Sequence, residues 1–416
     1  MYRICFAAPL ARPILDPAFP GDFGGAEVRA VNFAKGLALH GEFQVSMVLN
    51  TYRRESGKQL GRIQVFFDRL PSPIPKTREL KRDTRFCWNV LKIAARKLHR
   101  SVQKRRTRLG PVRPTVVPAI RQVPADVYCV FGVHHHAANV VATARDLHKR
   151  SLLFLASDTD LDPRYMSPTA VRNDYRQLAH MCRFALLKCD KIIAQTECQQ
   201  RLLLTHFGRE STLIRNPVDL RVPPDSAARP SDDRFVLWVG RADTFSKRAD
   251  KCFALARLCP TVNFVAILNR RDETTFQRLA GQAPANAVVV ERVPLARIEA
   301  YFRHATALIN TSDAEGFPNA FLQAGKYGVP IFSLNVDPDD MIARHQCGFV
   351  ANGDLEALGR RLVDYWHGET SAQSQGMSSS IMKYVRDFHD MEARAGELRA
   401  ALLDLLLNEG TCGEAA

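Results

Sequence analysis

The sequence predicts an α/β protein in which two doubly wound parallel sheets face each other across a cleft. Three observations carry this expectation. The chain has 416 residues and is 46% hydrophobic, enough to fill two cores of ordinary size but too long for one. Short β-branched runs alternate with helical stretches from end to end, the mark of repeated strand–helix units. Those runs are apolar along nearly their whole length, as strands covered on both faces of a parallel sheet must be.

Taken in order, strands are expected in the first half at 3–9 (RICFAAP), 43–50, 63–68, 126–132 (DVYCVFG), 151–158 and 191–196. In the second half they fall at 235–240 (FVLWVG), 262–268, 287–293, 307–312, 330–335 and 347–352. Helical stretches at 26–39, 197–207, 317–327 and 353–366 complete the units. The stretch 221–233, with three prolines among Ser and Asp, reads as a linker. It divides the chain into 1–222 and 232–380, followed by a long amphipathic helix at 381–410. Ligands of such folds bind outside the carboxyl ends of the strands, in the cleft.

Composition narrows the class. No run of 18 apolar residues is present, and the opening MYRICFAAPL reads as a first strand, not a signal peptide. The ten cysteines are scattered and form no C-x-x-C pair, which fits small buried hydrophobes in a reducing compartment, the cytoplasm. The net charge of +15 is local: residues 76–108 hold 13 Lys and Arg against Glu79 and Asp83, leaving about +4 for the rest. Within that segment Trp88, Leu91, Ala95, Leu98 and Val102 recur at helical spacing. Two readings stay open: an amphipathic helix for an anionic membrane surface, or a solvated helix packing its stripe on the domain. Nucleic acid is not expected, because no base-stacking series or DNA-reading motif is present.

The candidate site residues lie at strand ends. In VLWVGRADTFSK, Gly240 and Arg241 end a strand and Lys247 follows in a polar loop, a pair of cations suited to a diphosphate. In TSDAEGFPNAFLQAGKYG, a turn carries Glu315 and opens a helix near Pro318, whose missing N–H costs nothing there. The N–H groups of Gly316, Phe317 and Asn319 are then free for anionic or hydroxyl oxygens. Glu315 can accept two sugar hydroxyls, or cap the helix. In DFGGAEVRAVNF, Gly24 and Gly25 let backbone approach a phosphate. Each pattern is common alone; three at matching places in strand–loop–helix units carry more.

The order GGAE (24–27), TECQQRLL (196–203), IRNPVD (214–219), VGR…K (239–247) and EGFPNAFLQAGKYGVP (315–330) resembles glycosyltransferase family 4, retaining enzymes of the GT-B fold with two Rossmann-like domains. The resemblance is firm over about 190–370 and thinner before. It implies transfer of a sugar from a UDP- or GDP-linked donor, with retention and without metal or other cofactor. By position, Arg241 and Lys247 would grip the diphosphate and Gly25 would approach it from the opposite domain. Glu315 and the amides of 316–319 would hold the donor sugar. The long last helix would cross back to the first domain. The departure is Gln323, where the family has the second Glu of an E-x7-E motif on the ribose hydroxyls. Gln accepts fewer hydroxyl protons and carries no charge, a change of about 1 kcal/mol in nucleotide binding.

Two further groups complete the expectation. His134, His135 and His136 follow a strand; adjacent histidines diverge and share no metal, and His134 is taken as the functional one. Asp158, Asp160 and Asp162 lack the glycine and acid of a calcium loop, since Pro163 and Thr169 stand there, and Asp158 is assigned to the acceptor. The expected protein is a cytoplasmic, hexosyltransferase-type enzyme working at the inner membrane face on a glycan or lipid-linked acceptor, in surface polysaccharide biosynthesis. The alternative is a catalytically reduced GT-B scaffold that binds glycan or membrane.

Overall fold

The computed structural model describes residues 1–70, 113–222 and 230–407, except 17–18, 20, 22, 53–54, 168–171, 174–175, 271 and 369–371. The basic segment 76–108 and the middle of the linker lie outside the described residues.

The first half is one sheet of eight strands: β1 (Tyr2–Ala7), β2 (Phe43–Thr51), β3 (Lys58–Leu60), β4 (Ile63–Arg69), β5 (Val127–Phe131), β6 (Arg150–Phe154), β7 (Lys191–Ala194) and β8 (Thr212–Leu213). Its order is β3-β4-β2-β1-β5-β6-β7-β8, parallel except for the β3–β4 pair. In register, Ile4 faces Val45 on one side and Val127 on the other. The second half is a six-stranded, wholly parallel sheet: β9 (Val236–Arg241), β10 (Phe264–Asn269), β11 (Ala287–Val290), β12 (Ala307–Asn310), β13 (Ile331–Ser333) and β14 (Gly348–Val350). The order is β11-β10-β9-β12-β13-β14. All twelve expected strands are present. The two additional ones, β3 and β8, are a polar Lys-Gln-Leu edge and a two-residue pair, neither of which has an apolar run to announce it.

The apolar runs fill cores on both faces of each sheet. Phe33, Phe131 and Phe154 stack under the first sheet, with Phe131 and Phe154 at 4.3 Å between ring centres. Trp238, Phe253 and Phe264 fill one face of the second. The eight described cysteines are all free, and all but Cys198 are buried.

The expected single last helix is two helices, Ala372–His389 and Met391–Leu407. The break has a cause in the chain. Val218 inserts at the junction, donating its N–H to the His389 carbonyl at 2.8 Å and accepting from Met391 at 3.1 Å. The Asp390 carboxylate then caps the new helix through the Ala393 N–H at 2.9 Å. The second of these helices packs on helix Gly25–Leu37 of the first half, so closely that a Cβ on Gly36 would stand 2.6 Å from that of Ala395. Among the described residues no helix is long and apolar enough to cross a membrane.

Candidate active site

In each sheet the chain winds outward one way and then the other, leaving a crevice where the order reverses. In the second sheet that point lies between the neighbours β9 and β12. Their carboxyl ends deliver Gly240 and Arg241 on one side and Thr311 to Glu315 on the other. The two ends are tied together: Trp238 donates its indole N–H to the Thr311 hydroxyl at 2.9 Å, and that hydroxyl lies 3.0 Å from the Lys247 carbonyl. A Cβ on Gly240 would come within 2.6 Å of the Trp238 ring and 3.2 Å of the Lys247 Cβ. Glycine there lets the Lys247 loop fold down over the indole.

The loop is shaped by Asp243, which accepts the N–H groups of Ser246 at 2.9 Å and Lys247 at 2.7 Å. Lys247 is thereby turned inward, and its ammonium pairs with the Glu315 carboxylate. The Ser312 hydroxyl donates to the same Glu315 oxygen at 2.8 Å. Arg241 stands beside them, 3.3 Å from the Ser246 hydroxyl and 3.5 Å from Asp243. The outer cations are neutralised elsewhere: Arg248 pairs with Asp250 and Asp313, and Lys251 with Asp313. So Glu315 does not cap the helix; it holds Lys247.

The turn that follows runs to Pro318, the residue before helix Asn319–Lys326. The N–H groups of Gly316, Phe317 and Asn319 take no partner among the described residues. The turn is anchored from below by the buried Phe317 ring, 4.5 Å from that of His389. The other half of the chain grips it as well. Asn216 donates to the Phe317 carbonyl at 3.1 Å, and Asn319 donates to the Gly25 carbonyl at 2.8 Å. Gly316 lies flat against the first half, where a Cβ would meet the Gln195 amide nitrogen at 2.0 Å and that of Gln199 at 2.8 Å. The Gln195 amide nitrogen is buried and has no hydrogen-bond partner among the described residues.

On the first-half side, Gly24 precedes helix Gly25–Leu37, and its N–H is taken by Glu27 at 2.8 Å. The helix starts at Gly25, one residue before the expected start. His134 follows β5 and caps helix His135–Asp146, its Nδ1 accepting the Ala137 N–H at 3.2 Å. With Nδ1 the acceptor, the neutral ring carries its proton on Nε2. Burial pushes His134 and His136 down to about 4. His135 is exposed and turns to Gln177 instead.

The three aspartates separate by role. Asp160 is enclosed, accepting N–H groups from Ala156, Ser157 and Val133. Asp162 pairs with Arg164. Asp158 lies past the end of β6, in a short 3-10 turn and not in the strand as expected. Burial pushes its carboxyl up to about 6, against the bond from Gln199 at 3.1 Å, with Asp160, Asp339 and Glu315 adding repulsion.

One cross-cleft contact has no forewarning in the sequence. Asp339, from the loop after β13, lays its carboxylate on the N-terminus of helix Glu197–Phe207, accepting N–H groups from Glu197 at 3.0 Å and Cys198 at 3.1 Å. Arg215 pairs with it at 2.9 Å. The helix dipole and two amides favour a carboxylate there. To reach, Asp339 and Asp340 both take left-handed backbone, at φ 51° and 56°.

The structure thus gathers Arg241, Lys247, Glu315, Gly316 and Asn319 into one cluster facing Gly25 and Asp158. Gln323 sits half-exposed on helix Asn319–Lys326 with no hydrogen bond to any described residue. Gln195, Gln199, Arg215, Asn216 and Asp339 carry no role in the sequence reading. The first four sit within or beside TECQQRLL and IRNPVD, whereas Asp339 belongs to an unremarkable DPDD.

Comparison with known proteins agrees with this geometry. Residues 234–367 match the model of the family described as glycosyl transferases group 1. No curated protein matches the chain in sequence. Among solved structures, sucrose-phosphate synthase from Thermosynechococcus elongatus is similar at 17% identity, with a TM-score of 0.70, over 98% of this chain and 100% of that one. HepE of Anabaena, in complex with UDP and glucose, is similar at 14% identity and a TM-score of 0.62, over 97% and 99%. TarM of S. aureus, in complex with UDP among other ligands, is similar at 13% identity and a TM-score of 0.53, over 67% of this chain and 55% of that one. The fold is GT-B, and together with the family match it supports placing the chain in the glycosyltransferase superfamily.

Proposed function

We propose that this protein is a family 4 glycosyltransferase that moves a sugar, with retention, from a nucleotide diphosphate donor to a glycan or lipid-linked acceptor. The carrying observation is the switch-point cluster: Lys247 on Glu315, Arg241 beside them, and three N–H groups in the turn without a partner among the described residues. UDP is the favoured donor nucleotide, because the HepE and TarM structures hold it.

In this reading the bond from the sugar's anomeric carbon to the diphosphate breaks with oxocarbenium character. The leaving diphosphate gains negative charge, which Arg241, Lys247 and the turn amides stabilise, each donor contributing about 3 kcal/mol. The acceptor oxygen bonds to the same face of that carbon, and its proton passes to the departing phosphate oxygen. The residues need no metal for this, and Glu315 and the Asn319 turn orient the sugar. His134 supplies a hydrogen-bond donor from the opposite side. The basic segment 76–108 holds the enzyme at an anionic, cytoplasmic membrane face, where surface polysaccharide acceptors are made; anionic-vesicle sedimentation tests this, and equal pelleting after replacing Arg96, Lys97 and Arg100 by Gln contradicts it.

Gln323 favours a second reading, a catalytically reduced scaffold that binds glycan or membrane and holds nucleotide poorly. Calorimetric titration of UDP, GDP and ADP, followed by turnover of the matching nucleotide sugars, separates the two. Saturable binding of one nucleotide, with turnover lost in Glu315→Gln and an α-anomeric product from an α-linked donor, supports the enzyme. Absence of turnover, with no nucleotide bound by wild type and binding restored only in Gln323→Glu, favours the scaffold.

A further inference from the structure

The first half of the chain carries a pocket of about 340 Å³ that opens beside Asp158. It lies between the short turns Asp158–Leu161 and Pro163–Met166 and helix Glu197–Phe207. That volume is at the small end of ligand sites, which run from about 300 to 1,000 Å³, and suits a single ring. Leu161, Pro163 and Leu202 give it an apolar wall, against which the C–H face of a sugar can pack.

Its charges are the informative part. Arg164 is bonded to Asp162 through two nitrogens, at 3.0 Å from Nε and 2.6 Å from Nη2, so this cation is already neutralised. The His206 Nδ1 donates to the Leu161 carbonyl at 2.7 Å. Asp158 remains as the charge without a cation. One of its oxygens takes the Gln199 amide at 3.1 Å, and the other takes no partner among the described residues. A phosphate ester brings about two negative charges and needs a cation. Here it would meet Asp158, beside Asp339 and Glu315, which already repel that carboxylate.

Gln199 joins this pocket to the donor side. Its amide nitrogen holds Asp158 and stands 2.8 Å from where a Cβ on Gly316 would be. Gln199 is fully buried, and its other amide atom accepts the Gln195 N–H at 3.1 Å, so the side chain is fixed at both ends. A hydroxyl on the free Asp158 oxygen would be one side chain away from the turn assigned to the donor sugar.

We propose that this pocket is the acceptor subsite and that it takes a neutral, hydroxyl-bearing sugar ring in preference to a phosphorylated one. Asp158 accepts the acceptor hydroxyl, and Gln199 is the positioning residue that aims it. The inference rests on the glycosyltransferase reading, and its test can fail independently.

The test is saturation-transfer NMR in the presence of saturating UDP, with methyl α-glucopyranoside and methyl α-mannopyranoside and their 6-phosphates as probes. Wild type should bind at least one neutral glycoside, with its 6-phosphate weaker by tenfold or more. Leu202→Trp, which fills the pocket, should weaken the neutral probe at least tenfold while leaving UDP binding and thermal stability unchanged. Asp158→Asn should narrow the preference for neutral over phosphorylated probes at least fivefold, a ratio that a merely structural role would not move. Tighter binding of the 6-phosphates, neutral binding indifferent to Leu202→Trp, or no neutral binding while UDP binds would overturn the subsite. Failure of UDP to bind wild type would instead remove the glycosyltransferase reading on which it rests.

Discussion

Lys247 and Glu315 are bonded to each other across the switch point of the second sheet, one from the loop after β9 and the other from the turn after β12. Each is more than three-quarters buried, so neither charge is well solvated without its partner. On the proposed function, a diphosphate arriving at Arg241 would offer Lys247 a second anion and free Glu315 for sugar hydroxyls, so that the pair would keep the site in order until the donor comes.

Lys247→Met should lower kcat for the UDP-sugar by about 100- to 1,000-fold, the usual effect of losing one donor to developing charge. UDP release under saturating donor measures it. A loss below about fivefold would mean that Lys247 serves only to hold Glu315.

Gly316 is where the two halves press most closely. A methyl group there would overlap the buried Gln195 amide nitrogen at 2.0 Å and stand 3.0 Å from the Ala156 carbonyl. Gly316→Ala should open the cleft, seen as a larger radius of gyration in small-angle scattering, with turnover down at least tenfold. An unchanged radius would show that Gln195 swings aside at little cost.

Gln323→Glu restores a charged acceptor where Gln323 has no partner among the described residues. Replacing a neutral by a charged hydrogen bond contributes about 1 kcal/mol, so UDP should bind roughly fivefold tighter in calorimetry. Weaker binding would place the ribose elsewhere.

Acid should unfold this protein early. Burial lowers His134 and His136 to about 4 and His389 to about 3, whereas each would titrate near 6.5 when unfolded. Below pH 6.5 the unfolded chain therefore binds more protons, and stability is lost as pH falls towards 4 and then 3. Asp158, raised to about 6, acts in the opposite direction: its native form stays protonated between about 4 and 6, so the folded state loses stability as pH rises through that window. Three histidines outweigh one aspartate, giving a net slope of roughly 2–3 kcal/mol per pH unit near pH 5. His389→Gln should reduce it by about 1 kcal/mol per unit in urea unfolding between pH 4.5 and 6.5. An unaltered slope would mean that His389 is protonated when folded.

The sheets were the most legible part of the sequence. Strands such as VYCVF and FVAIL are buried on both faces, so their whole length is apolar and needs no partner to be recognised. Arg241, Lys247 and Glu315 were legible for a related reason: each lies just past such a strand, where a doubly wound sheet leaves its crevice. The break at Asp390 was not, because both flanking segments are good helix and only Val218, far off in sequence, separates them. Gln195, Gln199 and Asp339 were equally hidden. Their roles come from the fit of one half on the other, which no local pattern encodes. Asp158 was found by its residue type, but the Gln199 bond and the pocket beside it belong to the folded chain alone.

The Asp339 contact sets a clock as well as a shape. On the proposed function, a spent nucleotide would leave through an opened cleft, and opening would strip Asp339 from two helix amides and from Arg215. Asp339 and Asp340 hold left-handed backbone in this contact, a strain on the order of 1 kcal/mol each that offsets part of the grip. On the same proposal, the lifetime of this clasp would set the interval between turnovers. Asp339→Asn keeps the reach but loses the charge, and it should speed product release in stopped-flow while weakening UDP. If release is unchanged, the pace of the enzyme is set at the chemistry around Glu315 and not at its hinge.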